Sequence, residues 1–575
     1  MDKHEGAITQ PSTMTAGGAL LARLKAVGVD YIFANSGTDF PPIIEGLAEA
    51  EAKGIDLPQA LVMPHEGAAM AMAHGYYLAT GRAQAVMAHT NVGLANCAIG
   101  AINAAMEHIP VLLLSGRTPV TERGRKGSRT VPIGWGQEMR DQAALVREAC
   151  KWDDELRAPE HIPQMVDRAL AIATSTPRGP VYMSLPREVL CQPCPTAGLS
   201  EPSSIAPAVA TASRQAIEAA ARLLVDASNP VIFAQRGAGS AEGFAALSAL
   251  AAEWGIPVCQ YWAVQLAVST DHSMAAQADP KPLIEKADVI LVIDALAPWS
   301  PDIHPLRPGC KVIQLGQDPL YARQPVRYFR SDLTIACDVD AGIVALKEVM
   351  DAFLPLHESR ADERAAAVAD INRVARQAVL SSAASGEGTP MTKDFVSLTL
   401  SNAIEGRDAT VLSELGCPMA PMTLTHHQAW YQEPHSGGLG WSFPAALGMK
   451  LARRDRLVVA TMGDGSYMFA NPVACHQIAE ALELPILILV VNNAEWGAVR
   501  QSVLGIYPDG YAAKTNRMPL TALSPVPDFV KVAEASRAYA RRVTDGAELA
   551  GAIAAAIAHI EEKGTLALLD VQVRA

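Results

Sequence analysis

The sequence lacks the features that mark several large classes of protein. It has no run of about 20 apolar residues, so we expect no transmembrane span. Its 47 lysines and arginines are outnumbered by 60 aspartates and glutamates, and the net charge of −13 argues against general nucleic-acid binding. Residues 1–14 are polar and contain no apolar segment of a secretory signal. We therefore expect neither a nucleic acid nor a membrane as a partner.

Cysteines are too few and too irregularly placed to form a disulfide framework. The chain has nine, an odd number, and their scatter indicates a reducing compartment, so we interpret the protein as cytoplasmic. Cys191 and Cys194 form a CxxC pair beside Pro193 and Pro195, with no second pair in the chain. This composition is typical of a linker, so we expect no metal or redox role for the pair.

What the chain has in abundance is apolar sequence, organised in three blocks. Half of its 575 residues are hydrophobic, enough for several full cores. Apolar strands alternate with helical segments at 14–190, 205–355 and 389–575, which predicts an α/β fold of three domains, each with a doubly wound parallel sheet. We expect a connecting helix at 357–376 and a polar linker at 381–388. The clearest predicted strands cover 31–34, 84–88, 110–114, 230–234, 457–462 and 485–491.

Two short motifs in the third block suggest a metal and phosphate site. Gly463-Asp464-Gly465 follows one apolar strand, and Asn492-Asn493 follows the next. Carboxylate and amide oxygens suit Mg²⁺, which commonly shares its coordination shell with phosphates. Gly465 allows the backbone to approach a phosphate, and the start of the next helix offers N–H groups to it. A Gly-Asp-Gly sequence alone is also a turn signal, but the two motifs together predict a binding site.

With 26 residues from Ser466 to Val491 between the two motifs, the pattern resembles the thiamin diphosphate motif. The resemblance extends over nearly the whole chain and implies a pyrimidine-binding domain, a middle domain and a diphosphate-binding domain. It also implies thiamin diphosphate and Mg²⁺ as cofactors. By this resemblance, Asp464, Asn493 and the main-chain carbonyl of Glu495 bind the metal, and Gly463 and Gly465 adjoin the diphosphate. Ser466 contacts the diphosphate, caps the helix, or does both.

Thiamin chemistry needs a carboxylate against the aminopyrimidine ring, and the first block offers Glu66. Pro64-His65-Glu66-Gly67 opens a predicted helix after the apolar segment 61–63 and looks like the glutamate motif of this family. The resemblance assigns to Glu66 the contact that favours the imino tautomer of the cofactor. The alternative is an ordinary first-turn glutamate stabilised by the helix dipole.

Two further segments resemble the part of the family that holds the bent cofactor. Gly437-Gly438-Leu439-Gly440 lacks two residues found in acetohydroxyacid synthases and is closer to benzoylformate decarboxylase. Leu439 would then support the cofactor, unless it is a plain core leucine. Gly416 and Cys417 stand where benzoylformate decarboxylase has hydroxyl side chains, so any phosphate contact there is expected from main-chain N–H groups.

Candidate residues on the substrate side are less clear. His89 lies 23 residues after Glu66, the same spacing as an active-site histidine of benzoylformate decarboxylase. It is either a proton donor and acceptor or a structural histidine. Thr38 holds the place of a substrate-binding serine, or caps the next helix. Gln137 resembles the glutamine of a Phe-Gln-Glu segment in related enzymes and is expected to line the site.

Two more residues are candidates for contact with a substrate. Trp496 follows the asparagine pair and either walls an aromatic or branched substrate or belongs to the core. His304 lies roughly where benzoylformate decarboxylase has a second catalytic histidine, although the two do not align cleanly. Related enzymes bind FAD or ADP in the middle domain. The short Gln235–Gly239 turn carries no full dinucleotide fingerprint, so we expect no FAD.

Taken together, the resemblance implies a 2-oxo acid decarboxylase or carboligase that depends on thiamin diphosphate and Mg²⁺. It also implies a homodimer or homotetramer with active sites at the subunit interface. An acetolactate synthase-like carboligase remains an alternative, as does a lyase of a 2-hydroxyketone, a 1,2-diketone or an acyl-CoA. A non-catalytic homologue is the remote alternative.

Overall fold

The computed structural model describes residues 13–203 and 205–574, in two compact units, 1–208 and 209–575. Most of the N-terminal segment considered for a secretory signal, 1–12, lies outside the described residues. The first unit contains one large parallel sheet and the second contains two, so the α/β prediction with three parallel-sheet domains is confirmed. No helix of the described segments is long and apolar enough to cross a membrane.

The first unit is built on a six-stranded parallel sheet of order β3-β2-β4-β5-β7-β6, with a separate antiparallel pair, β1 and β8. Its strands are β1 (Thr13–Thr15), β2 (Tyr31–Ala34), β3 (Gln59–Val62), β4 (Gln84–Ala88), β5 (Val111–Arg117), β6 (Asp153–Glu155), β7 (Val181–Pro186) and β8 (Pro193–Pro195). Its α-helices are α1 (Ala16–Ala26), α2 (Pro41–Lys53), α3 (Glu66–Thr80), α4 (Thr90–Met106), α5 (Ile133–Gly136), α6 (Ile162–Thr174) and α7 (Arg187–Leu190). Two 3₁₀ turns cover Ala143–Leu145 and Pro159–His161.

Part of the predicted linker after residue 190 belongs to this unit. Cys194 pairs with Met14 in the β1–β8 ladder, and its thiol is buried. Arg23 forms a two-point ion pair with Asp167, with distances of 2.7 and 2.6 Å, and also donates to the Leu199 carbonyl at 3.1 Å. A guanidinium can be buried at little cost only with such full pairing, so this contact secures α1 to α6 and to the segment after β8.

The middle sheet lies in the second unit and has five parallel strands in the order β10-β9-β11-β12-β13. These are β9 (Pro230–Ala234), β10 (Val258–Cys259), β11 (Val289–Ile293), β12 (Lys311–Gly316) and β13 (Leu333–Ala336). The accompanying helices are α8 (Arg214–Asp226), α9 (Ala241–Trp254), α10 (Lys281–Ile284), α11 (Val339–Asp351) and α12 (Leu354–Ala384). The long α12 contains the predicted connecting helix but continues into the predicted linker, because its alanine-rich sequence meets no glycine before Gly386.

The last sheet has six parallel strands in the order β15-β14-β16-β17-β19-β18. They are β14 (Ala409–Glu414), β15 (Trp430–Gln432), β16 (Leu457–Gly463), β17 (Leu487–Asn492), β18 (Tyr539–Val543) and β19 (Ala567–Gln572). The helices are α13 (Lys393–Ile404), α14 (Ser442–Ala452), α15 (Asp464–Phe469), α16 (Pro472–Ala481), α17 (Gly497–Ile506), α18 (Tyr511–Thr515), α19 (Phe529–Glu534) and α20 (Gly546–Lys563).

All three sheets share one topological feature. Counted within each sheet, the first strand lies between the second and the third, so the chain changes direction there. Ligands of such open sheets bind outside the carboxyl ends of the strands at this switch point. The switch lies between β2 and β4 in the first sheet and between β14 and β16 in the last. These two strand ends are therefore where a functional site is expected.

Candidate active site

Glu66 lies at the switch point of the first sheet. It begins α3, and its side chain is buried, at 6% exposure. One carboxylate oxygen accepts a hydrogen bond from the Asn35 amide and the other from the Asn96 amide, both at 3.0 Å. A Cβ at Gly93 would lie 2.8 Å from Oε1, so a larger residue there would disturb the carboxylate. Glu66 is thus a rigidly oriented carboxylate held by neutral donors.

His89 follows β4 and is held from both sides. Its Nδ1 contacts the Asp39 carboxylate, and its Nε2 lies 2.9 Å from the Gln137 side-chain nitrogen. A Cβ on Gly37 would lie 2.1 Å from Nδ1, so the chain before Asp39 packs directly on the imidazole. The carboxylate fixes the proton on Nδ1 and leaves Nε2 directed at Gln137. The structure therefore brings His89 and Gln137 together, as required if both act in one site.

The charge around His89 favours its protonated form. The hydrogen bond to Asp39 raises the pKa of His89; burial opposes this, and the charges of Asp39 and Glu66 add to it. Asp39 is itself 4% exposed, and its second oxygen accepts the Thr90 backbone N–H at 3.3 Å. His89 therefore holds its proton more tightly than a free imidazole does.

A cleft opens beside this pair of residues. It has a volume of about 280 Å³ including its solvent-open mouth, and its walls include Thr38, Gln137 and Arg187. Thr38 is exposed, and its carbonyl accepts a hydrogen bond from Arg187 at 3.1 Å. The N-cap of α2 is Phe40, so the capping alternative for Thr38 is wrong. A substrate contact for Thr38 stays a prediction.

The second candidate region lies at the switch point of the last sheet. Asp464 begins α15 and is 3% exposed, with Oδ1 accepting the Gly465 N–H at 2.9 Å. Among the described residues Oδ2 is buried without a hydrogen-bond partner. Burial raises the pKa of Asp464, against the opposing effects of the Gly465 and Ala494 N–H groups and of Lys393. A buried carboxylate oxygen without a partner is costly, and a cation would relieve that cost.

The two adjacent asparagines, Asn492 and Asn493, make different hydrogen bonds. Gly463 pairs with Val491 in the β16–β17 ladder, so Asp464 and the pair emerge from adjacent strand ends. Asn492 donates to Asp570 at 2.9 Å and accepts from Ala494 N at 3.1 Å, which makes it structural. The side-chain carbonyl oxygen of Asn493 accepts the Glu495 N–H at 3.2 Å.

Glu495 uses its side chain and its backbone carbonyl for different contacts. Its carboxylate accepts from Thr521 at 2.5 Å and pairs with Arg500 at 3.5 Å, so this group is already engaged. Its backbone carbonyl accepts the Gly497 N–H at 2.8 Å and keeps a second lone pair for a metal. No group of three or more His, Cys, Asp or Glu residues within 13–203 and 205–574 could hold a metal. The available donors are oxygens and few in number, which suits a Mg²⁺ ion that also binds phosphate.

The helix start at Asp464 differs in one detail from the expected arrangement. Gly463 is the N-cap of α15, and Ser466 is already its third residue, so the capping alternative for Ser466 is wrong. A Cβ on Gly465 would lie 2.2 Å from the ring of Trp496, which also meets Phe469 edge-on at 5.8 Å. Trp496 therefore packs on the Gly-Asp-Gly turn. Its role toward a substrate stays a prediction.

Leu439 lies on a loop that a buried acid holds in place. Glu414 ends β14, and its carboxylate accepts three backbone N–H groups, from Gly440 at 2.6 Å, Trp441 at 2.8 Å and Ser442 at 2.7 Å. Leu439 itself is partly buried, immediately before these residues. Glu414 was missed as a functional residue at the sequence level. The signal available was an acid at the carboxyl end of an apolar strand.

The residues that follow Glu414 are more enclosed than expected. The Cys417 N–H donates to Thr461 Oγ1 at 3.2 Å, and burial raises the pKa of the Cys417 thiol to about 12. A Cβ on Gly416 would lie 2.5 Å from the Met462 nitrogen, so this glycine packs against β16. The expected phosphate contact from the Cys417 amide would have to compete with Thr461.

His304 has the contacts of a structural histidine in the middle domain. Its Nδ1 accepts the Ser300 N–H at 3.1 Å, its ring meets Tyr261 edge-on at 5.9 Å, and it is 6% exposed. At the carboxyl end of the middle sheet, Arg236 donates to the Asp294 carbonyl at 3.2 Å and to the Tyr321 hydroxyl. The expectation of no FAD there stays a prediction.

Comparison with known proteins identifies the family. Three family models match in order: the N-terminal binding domain of thiamine pyrophosphate enzymes at residues 14–145, their central domain at 217–346 and their C-terminal binding domain at 416–571. The chain belongs to the thiamin diphosphate-dependent enzymes of the acetolactate synthase and decarboxylase type.

Individual relatives are distant but extend over most of the chain. An acetolactate synthase of Mycobacterium bovis is 27% identical over 91% of this chain and 82% of its own length. The Pseudomonas aeruginosa protein described as "Probable 2-ketoarginine decarboxylase AruI" is 25% identical over 93% of this chain and 91% of its own. A solved 4-hydroxybenzoylformate decarboxylase of Rhodococcus jostii, 22% identical, has the same fold, with a TM-score of 0.77 over 97% of this chain and 99% of its own.

Proposed function

We propose that this chain is a thiamin diphosphate- and Mg²⁺-dependent enzyme that breaks or forms a carbon–carbon bond beside a carbonyl, most simply a 2-oxo acid decarboxylase or carboligase. The observation that carries the proposal is the placement of Glu66 and His89 on either side of β2, where Gly93, four residues after His89, packs against the Glu66 carboxylate. A fixed carboxylate and a histidine whose pKa is raised are the two proton-handling groups that this chemistry needs.

The C-terminal binding domain contains the residues that would hold the metal and the diphosphate. Asp464, Asn493 and the Glu495 carbonyl offer Mg²⁺ three oxygens, and the orphaned Asp464 Oδ2 supports this assignment. Leu439, on the loop that Glu414 secures, would support the ring system. When bound, thiamin diphosphate supplies a carbon nucleophile and a sink for electrons.

The chain's own groups then move protons and exclude water. Glu66 would hold a proton at its carboxylate against the pyrimidine nitrogen. His89, whose pKa is raised by Asp39, would use Nε2 to donate a proton to a substrate carbon or to take one from a hydroxyl. Gln137, 2.9 Å from Nε2, would orient the substrate oxygen in the cleft.

Exposed apolar side chains on α4 support a homodimer or homotetramer with active sites at the subunit interface. Val92, Ile99 and Ile102 are 48%, 41% and 50% exposed and recur at helical spacing on one face. Asn96, which binds Glu66, lies on the same helix. Apolar stripes of this kind commonly mark protein interfaces. Light scattering after size exclusion would measure the assembly, and a monomer would contradict it.

An acetolactate synthase-like carboligase is the second candidate. It is favoured by the similarity to the M. bovis acetolactate synthase and by Gln137. Incubation with pyruvate and with aromatic 2-oxo acids, followed by measurement of CO₂ and organic products, would separate the two. Acetolactate from pyruvate without a released aldehyde would exclude the decarboxylase. Turnover only of a 2-hydroxyketone, a 1,2-diketone or an acyl-CoA would favour a lyase.

The direct test of the shared mechanism is Glu66→Gln. The variant should fold and bind Mg²⁺ with thiamin diphosphate but lose nearly all turnover, because an amide cannot hold the proton. Glu45→Gln, on the exposed side of α2, is the matched control and should keep full activity. Substantial turnover by Glu66→Gln would contradict the proposed role of Glu66. Failure of the wild type to bind the cofactor would favour the non-catalytic alternative.

A further inference from the structure

Lys393 is a partly buried cation that the proposed mechanism does not use. It begins α13, and its ammonium donates to the Leu415 carbonyl at 2.9 Å. Within the described residues this is its one hydrogen bond, and no carboxylate lies within ion-pair distance. An ammonium has three donors, so two remain free for another acceptor. Burial lowers the pKa of Lys393, while the charges of Cys417, Asp464 and Glu433 oppose the effect.

The Leu415 carbonyl places this cation beside the Gly-Asp-Gly turn. A Cβ on Gly463 would lie 3.7 Å from the Leu415 oxygen that Lys393 contacts. The N–H of Leu415 is directed at Glu433 Oε2, at 3.4 Å. The charge of Lys393 also lowers the pKa of Asp464. The ammonium thus lies at the edge of the proposed metal and phosphate site.

A cation at the position of Lys393 would offset negative charge in the proposed metal and phosphate site. Burial raises the pKa of Asp464, so negative charge is already disfavoured at this turn. A diphosphate would bring more negative charge than one Mg²⁺ neutralises. The loop at 415–417 can offer little help, because Gly416 has no side chain and the Cys417 N–H already binds Thr461.

We propose that the Lys393 ammonium binds the diphosphate of the cofactor, as a charged donor from α13. The inference rests on the proposed function only in taking thiamin diphosphate as the ligand. The competing explanation is structural: Lys393 would merely hold Leu415, whose φ of 54° lies in the left-handed region.

The test compares Lys393→Met and Lys393→Arg by calorimetric titration with thiamin diphosphate and with pyrophosphate, each with Mg²⁺. Loss of one charged hydrogen bond should weaken both ligands about tenfold or more in Lys393→Met, and arginine should restore most of the affinity. The unfolding temperature of the cofactor-free protein should stay near that of the wild type.

Lys450 is the matched control. It is 6% exposed and donates to two carbonyls, those of Arg454 at 2.9 Å and Arg456 at 2.7 Å. Lys450→Met should therefore lower the unfolding temperature and leave the affinity for pyrophosphate unchanged.

Two outcomes would overturn the inference alone: unchanged affinity in Lys393→Met, or a loss of affinity matched by a loss of stability that arginine does not restore. Failure of the wild type to bind thiamin diphosphate would overturn the cofactor assignment as well.

Discussion

Gly465 and Gly505 form a pair of glycines for which the structure predicts opposite responses to the same change. In Gly465→Ala the new methyl carbon would lie 2.2, 2.7 and 2.8 Å from three ring atoms of Trp496. Ordinary carbon contacts are about 3.5–4.0 Å, so the indole must retreat by more than about 1 Å. In Gly505→Ala, on α17, the methyl carbon meets nothing within 4 Å.

The expected energies follow from these contacts. Overpacking of this kind costs about 1–3 kcal/mol, and alanine returns up to about 1 kcal/mol of helix propensity. Gly465→Ala should therefore lose about 1–2 kcal/mol, a fall of roughly 2–8 °C in the unfolding temperature for a domain of this size. Gly505→Ala should gain about 0.4–1 kcal/mol, a rise of roughly 1–4 °C.

Differential scanning fluorimetry of the cofactor-free protein would measure both shifts. Calorimetric titration with Mg²⁺ and thiamin diphosphate would add a second readout for Gly465→Ala. Trp496 directly follows Glu495, whose carbonyl is a proposed metal ligand, so displacement of the indole should also weaken cofactor binding. The reasoning would be refuted if Gly465→Ala melted at or above the wild type and bound the cofactor equally well.

Two further predictions concern acids that hold functional groups in place. Asp39→Asn removes the contact that raises the pKa of His89, so the alkaline limb of the pH–rate profile should move to lower pH. The stability that the His89–Asp39 pair contributes is present below the unfolded pKa of histidine and is lost as pH rises through the folded pKa of His89. An alkaline limb of the pH–rate profile that did not move would exclude Asp39 as the cause of the raised pKa. Glu414→Ala leaves three buried N–H groups without an acceptor, at about 1–3 kcal/mol each, against a typical total stability of about 5–15 kcal/mol. We expect little folded protein on expression, and a yield and unfolding temperature like those of the wild type would contradict this.

Strands were predictable wherever an apolar run coincides with the ladder. The predictions at 31–34, 84–88 and 230–234 match β2, β4 and β9 residue for residue. Strand β5 extends three residues past the predicted end, through Ser115 to Arg117, because pairing with β7 continues after the apolar run stops. None of these last residues, Ser115, Gly116 and Arg117, has an apolar side chain, and Arg117 is paired with Glu138 and Glu155. The hydrophobic pattern ends where the functional end of the sheet begins.

Short strands escaped prediction for a related reason. Strands β6, β8 and β15 have three residues each and lie outside the interior of the large sheets. Three residues give no periodicity to detect, and edge positions require no continuous apolar run. Their existence depends on partners that are distant in sequence, such as the pairing of Cys194 with Met14.

The residues of the candidate site also differ in whether a local sequence pattern could predict them. Glu66, Asp464 and Asn493 stand in local motifs, so they could be proposed from sequence alone. Asp39 acts on a histidine 50 residues away, and Glu414 acts on amides 26 to 28 residues away. No local pattern encodes such pairings. What local reasoning does provide is the place, since all these residues follow or end parallel strands, at the carboxyl ends where ligands of such sheets bind.

Thr38 and Asp39 show that the strand-end rule does not decide which of two neighbouring side chains is buried in the site. Both follow β2 in the same turn, and either could have been directed into the site. The structure leaves Thr38 exposed at the cleft and buries Asp39 to 4% exposure against His89. Gly37 packs closely on the same imidazole, so this turn runs directly beside His89. Composition and spacing identify the strand end at which the site lies. They do not identify Asp39 as the buried acid, because its contact with His89 joins two turns that only folding brings together.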